Sequence, residues 1–304
     1  MRVLVTGGAG FLGRALVARL LERGDQVVVL DNLSSPSPLG VPPGADFILG
    51  DVIAPPPLTG PFERIYHLAS PASPPRYLRD PIGTLRSNAE GTRQMLELAA
   101  ARGARFILTS TSEVYGDPEV HPQSEDYPGA VSLSAERACY DEGKRYAEAL
   151  VYAYRRAGTV TDSRVARIFN TYGPGMDPED GRIISNFLVQ ALQGRPLTIY
   201  GSGHQTRSFC YVADLVGGLM RLADSACSLP VNLGNPEEVT INDVADLVAA
   251  TVGDTGREYR PLPEGDPKRR CPDITRAQQE LGWRPSVTLA DGVGRTRAYF
   301  EELR

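Results

Sequence analysis

Along the first half of the chain, short runs of aliphatic residues alternate with longer stretches whose apolar positions recur every three to four residues. The runs at 3–6, 26–30, 47–49, 65–68, 105–109 and 164–168 predict strands, and the periodic stretches at 11–23, 84–102 and 138–157 predict helices. Alternation at this spacing builds βαβ crossovers, hence a parallel sheet with helices on both faces. The strands are apolar almost throughout, as a sheet covered on both sides requires. Proline clusters at 36–43, 55–61 and 71–81 fall between elements and predict loops. Beyond residue 167 the elements shorten and Gly and Pro become frequent, with helices expected near 182–192, 212–222, 241–251, 275–281 and 289–302.

Composition narrows the function classes without choosing one. Hydrophobic residues at 41% and charged residues at 23% are those of a globular chain able to bury a core. A net charge of −5 argues against nucleic acid or an anionic membrane surface as partner. The longest apolar stretches are too short to span a bilayer, and Met1 runs directly into the first expected strand. Cys139, Cys210, Cys227 and Cys271 form no CxxC pair and read as reduced thiols, so a cytoplasmic protein is expected. His67, His121 and His204 lie far apart without carboxylate spacing, and no metal site is expected.

Chemistry begins where the first strand meets the first helix. Val3 to Gly13 reads VLVTGGAGFLG, with Gly7, Gly10 and Gly13 at GxxGxxG spacing. Glycines there let the backbone turn tightly and approach a pyrophosphate, which then rests on the helix N-terminus at Phe11 and Leu12. Asp31 ends the second strand, where an acid bonds the adenosine ribose hydroxyls and repels a 2′-phosphate; NAD is therefore the expected cofactor. Asp51, in Gly50-Asp51-Val52, reads either as an adenine contact or as a strand-end turn residue. The expected architecture is α/β. A Rossmann-type doubly wound parallel sheet over 1–168 binds NAD and includes the 138–157 helix. A smaller C-terminal α/β substrate-binding lobe covers 169–304, with some chain crossing between the two.

Tyr140 and Lys144 stand four residues apart on an expected helix, hence on one face. A cation beside a phenol favours the phenolate, a base able to take a proton from a hydroxyl. Lysine occurs only at 144 and 268, which makes Lys144 conspicuous. Upstream, Thr109-Ser110-Thr111-Ser112-Glu113-Val114-Tyr115-Gly116 ends a strand and supplies hydroxyls to orient a substrate oxygen.

Together TGGAGFLG, the TSE-VYG segment, YDEGK, Arg167–Pro174 (RIFNTYGP) and Gly201–Asp214 resemble the extended short-chain dehydrogenases that remodel nucleotide sugars. The resemblance runs from Arg2 to about Tyr299. It implies that NAD oxidises C4 of the sugar, that the 4-keto sugar then reacts, and that the hydride returns. The resemblance implies cofactor contacts from Gly7, Gly10, Phe11, Leu12, Gly13, Asp31, Asn32, Asp51, Val52, Leu68, Ala69, Ser70, Asn88, Thr109, Tyr140, Lys144 and Arg167. It implies substrate contacts from Tyr77, Glu113, Asn170, Arg182, Tyr200, Gln205, Arg207 and Arg270, and, by analogy, a homodimer through the 138–157 helix.

Positions 111–113 bear on the middle step. Dehydratases of this family carry an Asp-Glu pair after the threonine, and simple 4-epimerases usually carry a small or apolar residue in place of Glu113. Thr111-Ser112-Glu113 is similar to the UDP-glucuronate decarboxylases. So are Leu68–Tyr77 (LASPASPPRY), Ser112–Asp126, Arg137–Arg145, Gly181–Phe187, Val231–Glu237 and Arg269-Arg270-Cys271-Pro272-Asp273, the last against a usual Arg-Lys-Pro-Asp. Cys271, His204 and the 131–136 segment depart from that pattern. The resemblance assigns Tyr140 as C4 base and later acid, with Lys144 tuning it and holding the nicotinamide ribose. Thr111 and Ser112 position hydroxyls, and Glu113 and Arg270 manage the sugar carboxylate and the C5 proton. A nucleotide-sugar 4-epimerase or 4,6-dehydratase on the same scaffold is the alternative. A silent dinucleotide sensor is a third reading, against which the complete set of reactive residues counts. His67 and Trp283 read as structural, and His121 as a hydrogen-bonding loop residue.

Overall fold

The computed structural model describes residues 1–261 and 269–304; Lys268 lies outside the described residues. Six strands form where the apolar runs predict them: β1 (Arg2–Thr6), β2 (Gln26–Asp31), β3 (Asp46–Leu49), β4 (Arg64–His67), β5 (Arg105–Thr111) and β6 (Ser163–Ile168). With Pro230–Leu233 they make a seven-stranded parallel sheet, in the order 230–233, β6, β5, β4, β1, β2, β3. The strand at 230–233 is the sheet's contribution from the C-terminal half, and no helical or alternating pattern announces it, because its residues are buried on both faces.

The chain lays down β1, β2 and β3 in one direction, then crosses to β4 on the other side of β1. At such a reversal the loops leaving the strand ends diverge and open a crevice, the usual ligand position in a doubly wound sheet. Helix α1 (Phe11–Glu22) follows β1. Next come α2 (Pro74–Tyr77), α3 (Pro81–Arg86) and α4 (Thr92–Arg102), the last two joined through a π turn at Ser87–Gly91. This helical run starts earlier than its periodicity predicts. Asp80 caps it by accepting from the Gly83 amide at 2.9 Å, and Pro81 fills the first-turn position that tolerates proline.

Helix α5 (Ala138–Arg156) covers the same sheet face as α4. Helices α6 (Ile183–Leu192), α7 (Val212–Asp224), α8 (Ile241–Val252), α9 (Thr275–Leu281) and α10 (Leu289–Glu302) complete the C-terminal part. Helix α7 packs beside α1 on the opposite sheet face, so residues from both halves share one apolar cluster. Trp283 is buried in that cluster, with its indole N–H on the Asp214 carbonyl at 3.0 Å. Two short strands, Thr206–Ser208 and Arg269–Arg270, run parallel with Arg270 level with Arg207. Among the described residues, no helix is long and apolar enough to cross a membrane.

Candidate active site

A cleft of about 1300 Å³ lies over the C-terminal ends of the central strands. Its dinucleotide end is shaped by backbone. Gly7 has φ +72° and approaches Ala69 so closely that a Cβ would stand 2.8 Å from the Ala69 nitrogen, and a Cβ on Gly13 would stand 2.0 Å from the Gly7 carbonyl oxygen. Only glycine fits either place. Helix α1 opens with no acidic residue in its first turn, leaving the N-terminal partial charge available to a pyrophosphate. The Asp31 carboxylate accepts from the Ala9 amide at 3.0 Å and the Leu33 amide at 2.8 Å, so it is fixed at the strand end. Asp51 accepts from the Asn32 side chain at 2.7 Å and caps its own turn through Ile53 at 2.9 Å, as the turn reading has it, and it lines the cleft. Phe11, Leu12, Asn32, Val52, Leu68, Ala69, Ser70 and Thr109 also line the cleft. Glycine cradle, free helix end and fixed acid fit NAD.

Two residues expected at the cofactor do not line the cleft. Arg167 on β6 grips Glu148 of α5 through Nε at 3.0 Å and Nη2 at 2.8 Å, and its Nη1 bonds the Tyr115 hydroxyl and the Glu125 carbonyl, each at 3.0 Å. A buried Glu148 needs a bidentate cation, and satisfying it turns Arg167 away from the ligand. Asn88 packs on Gly143 and donates to the Thr84 carbonyl at 2.9 Å, which ties the π turn instead.

Helix α5 brings Tyr140 and Lys144 to one face, the lysine nitrogen 5.9 Å from the phenol ring centroid. Lys144 is buried and donates to the Thr109 carbonyl at 3.0 Å; burial lowers it to about 8, with Glu148 pulling the other way. Burial raises Tyr140 to about 12, against the Thr111 hydroxyl bond, which lowers it; Glu113 and Asp141 raise it further and Arg182 lowers it. The lysine thus does not by itself make a phenolate. Dehydration is the largest influence on each group, and one of the lysine's three N–H donors is held by a carbonyl. Tyr77 stacks on Tyr140 at 5.0 Å with rings 6° from parallel, fixing the phenol's plane.

Beyond the phenol is a dense charge cluster. Thr111 caps the short 3-10 turn Ser112–Tyr115 by accepting from the Glu113 amide at 3.2 Å, which sets the Glu113 side chain. Arg137 donates to one Glu113 oxygen at 2.6 Å, and Arg270 donates to the other. Burial pushes the Glu113 carboxyl up, but the charges of Arg270 and Arg137, the Arg270 bond and nearby Arg207 outweigh it and hold the group below the usual carboxylate range. Ser112 is buried beside it. Arg182 pairs with Asp180 and lies 5.9 Å from the Phe11 ring, between the cofactor and substrate ends. Asn170, Tyr200, Gln205 and Arg207 line the far end, where the Gln205 amide donates to the Tyr200 carbonyl at 2.6 Å.

Sequence reasoning did not single out Arg137 or Asp141, both of which line this end. The available signal was their spacing: four residues apart, Arg137 at the N-cap and Asp141 in α5 stand one turn from each other. His67 bonds Thr6 at 2.8 Å and Thr92 at 3.2 Å, and burial, assisted by Lys144, lowers it to about 3; it is a neutral structural residue. His121 bonds Glu238 at 2.8 Å in its loop. The four cysteines are buried thiols. Among the described residues, no group of His, Cys, Asp and Glu could hold a metal ion.

A profile described as the NAD dependent epimerase/dehydratase family matches residues 3–234. The chain is 52% identical over 305 residues to UDP-glucuronic acid decarboxylase 1 of Danio rerio, covering 98% of this chain and 72% of that protein. Its fold is similar to that of the Thermotoga maritima UDP-glucose 4-epimerase with UDP-glucose, at a TM-score of 0.91 and 29% identity over 100% of this chain and 99% of that one. It is also similar to a Bacillus cereus UDP-glucuronic acid 4-epimerase variant in complex with a 4-deoxy-4-fluoro substrate analogue and NAD, at 0.87 and 27% identity over 100% of both chains.

Proposed function

This chain belongs to the NAD-dependent epimerase/dehydratase family, and from that premise we propose that it converts UDP-glucuronate to UDP-xylose, NAD being used and regenerated in each turnover. The observation that carries the reading is Glu113 held between Arg137 and Arg270 beside Tyr140: a charged end of the cleft, with two guanidiniums suited to a sugar acid. An epimerase of neutral sugars has no use for it.

NAD, when bound, supplies the hydride acceptor and a cationic ring that favours the phenolate. Tyr140 takes the proton from the C4 hydroxyl, with Thr111 as its hydrogen-bond partner and Ser112 as a further hydroxyl within the wall. Oxidation at C4 makes the sugar a β-keto acid. The bond from C5 to the carboxyl carbon then breaks, its electron pair moves onto the C4 oxygen, and CO2 leaves. The Tyr140 phenol, now protonated, donates to that oxygen, while Arg137 and Arg270 stabilise the negative charge electrostatically. C5 takes a proton, the hydride returns to C4, and Tyr140 gives back its proton.

Arg207 and Arg182 are proposed for the diphosphate and ribose side, where a guanidinium fork suits phosphate oxygens, with Asn170, Tyr200 and Gln205 around the nucleoside. The same proposal includes a cytoplasmic homodimer. The half-exposed Tyr146 on the outer side of α5, and exposed Ile82 and Leu85 on neighbouring α3, support a covered face there.

Incubation with UDP-glucuronate and mass spectrometry of the nucleotide product tests the reaction. Loss of CO2 with NAD restored is the expected result. An isomer of unchanged mass means epimerisation, and loss of water means dehydration; either outcome ends the decarboxylase reading. Light scattering of the purified chain tests the dimer.

A further inference from the structure

Glu113 and Asp141 are among the carboxyl groups that line the sugar end of the cleft, and their surroundings differ sharply. Each oxygen of Glu113 accepts from an arginine. Asp141 is only 7% exposed, and its Oδ1 is buried with no hydrogen-bond partner. A carboxylate oxygen without a donor is costly at that depth, whereas a carboxylic acid carries no charge to solvate. Resting on the decarboxylation proposed above, we infer that Asp141, and not Glu113, supplies the proton that C5 takes after CO2 has left.

The electrostatics of the neighbourhood agree with the geometry. Burial and then the Glu113 charge raise Asp141 to about 7, Arg137 and Arg270 pull it down, and Glu142 on its own helix pushes it up. The phenols of Tyr77, across from α5, and Tyr140 are the other ionisable groups that register its charge, along with the Cys139 thiol. Glu113 is ionised between two arginines, and Asp141 keeps its proton more readily than an ordinary carboxyl. An arriving sugar carboxylate further favours the protonated form of Asp141. Two carboxyls whose environments push them apart divide the work between them: the ionised one organises the arginines, and the neutral one has a proton to give.

The step balances within the site. The electron pair left on the C4 oxygen after CO2 departs returns as the carbonyl re-forms, and the enolate carbon makes a C5–H bond with the Asp141 proton. Asp141 becomes a carboxylate and recovers its proton from water entering the open cleft. The ketopentose is then ready for the returning hydride.

The test uses the NAD-loaded enzyme with UDP-glucuronate in single turnover, following CO2, UDP-xylose, UDP-4-ketopentose and bound NADH separately. Asp141→Asn keeps the shape and removes the acid. It is expected to keep NAD and to release CO2, while UDP-xylose formation falls roughly a hundredfold or more and NADH with ketopentose accumulates. In the wild type, the ketopentose share is expected to rise as pH is raised above about 7, a readout that does not depend on the variant folding. Unchanged UDP-xylose formation in Asp141→Asn, an equal loss of CO2 and UDP-xylose, or a ketopentose share independent of pH would overturn the assignment. If the wild type itself releases no CO2, the decarboxylation reading falls and this assignment falls with it.

Discussion

Arg270 donates to Glu113 across 157 residues of sequence, and the contact joins the short strand Arg269–Arg270 to the turn that ends β5. Both partners are almost fully shielded, with side-chain exposures of 5% and 12%. Arg270 also donates to the Gly116 carbonyl at 3.2 Å, so one guanidinium fixes both the acid and the loop behind it.

Arg270→Leu therefore leaves a buried carboxylate with half its compensation. We expect a loss of about 3 kcal/mol in unfolding free energy, read by urea denaturation, because breaking a buried pair strands the remaining charge. Turnover should fall as well. Glu113→Gln is gentler: NAD content should be unchanged while CO2 release slows. If it abolishes NAD binding instead, the cofactor and sugar ends of the cleft are not separate.

Tyr140→Phe keeps the ring stacked on Tyr77 and removes the proton acceptor. Turnover should drop by roughly a thousandfold, within the usual range for losing a general base. Bound NAD should remain oxidised when UDP-glucuronate is added, since C4 oxidation is the step lost. Reduction at the wild-type rate would remove Tyr140 from the chemistry.

Asp31 holds the Ala9 and Leu33 amides and has lone pairs left for a ribose diol. Asp31→Ala should weaken NAD binding by roughly ten- to a hundredfold, the worth of charged hydrogen bonds, and narrow the preference over NADP. Calorimetric titration with each dinucleotide measures both. An unchanged preference would mean that something other than this carboxylate excludes the 2′-phosphate.

His67 makes stability fall on acidification. Its folded value of about 3 is below the ordinary 6.5, so between those limits the unfolded chain binds a proton that the folded chain refuses. The contribution is complete above 6.5 and is lost as pH falls toward about 3. From pH 7 to pH 5 this amounts to about 2 kcal/mol. Asp141, raised to about 7, acts in the opposite direction over part of that window, so the comparison must hold it constant. Urea unfolding of the wild type and His67→Gln at both pH values should show a shallower decline in the variant.

Arg76 pairs with Asp177 and donates to the Ser34 carbonyl at 3.2 Å, tying the loop after β2 to the C-terminal part of the chain across the cofactor end. Arg76→Ala should speed exchange of bound NAD by roughly tenfold, the equivalent of about 1.4 kcal/mol. Stopped-flow displacement by a fluorescent analogue reads this directly, and an unchanged rate would show that the tie does not hold the cofactor.

What the sequence by itself determined is whatever depends on neighbours along the chain. The glycine spacing, the acid ending β2 and the phenol–lysine pair are local facts. A turn and a helix fix their geometry whatever packs around them, and the cleft brings all three together. The resemblance to nucleotide-sugar enzymes added Glu113 and Arg270, but not what they do to each other. That was decided by pairing between Arg269–Arg270 and Thr206–Ser208, and strand register over such a separation has no local signature. The partners of Asn88 and Arg167 were hidden for the same reason: a polar side chain faces whichever buried partner the fold supplies, here the Thr84 carbonyl and Glu148. Even the phenol–lysine pair, legible as a spacing, needed the tertiary structure for its energetics. Burial, which the sequence does not state, is the largest influence on both, raising the phenol and lowering the lysine.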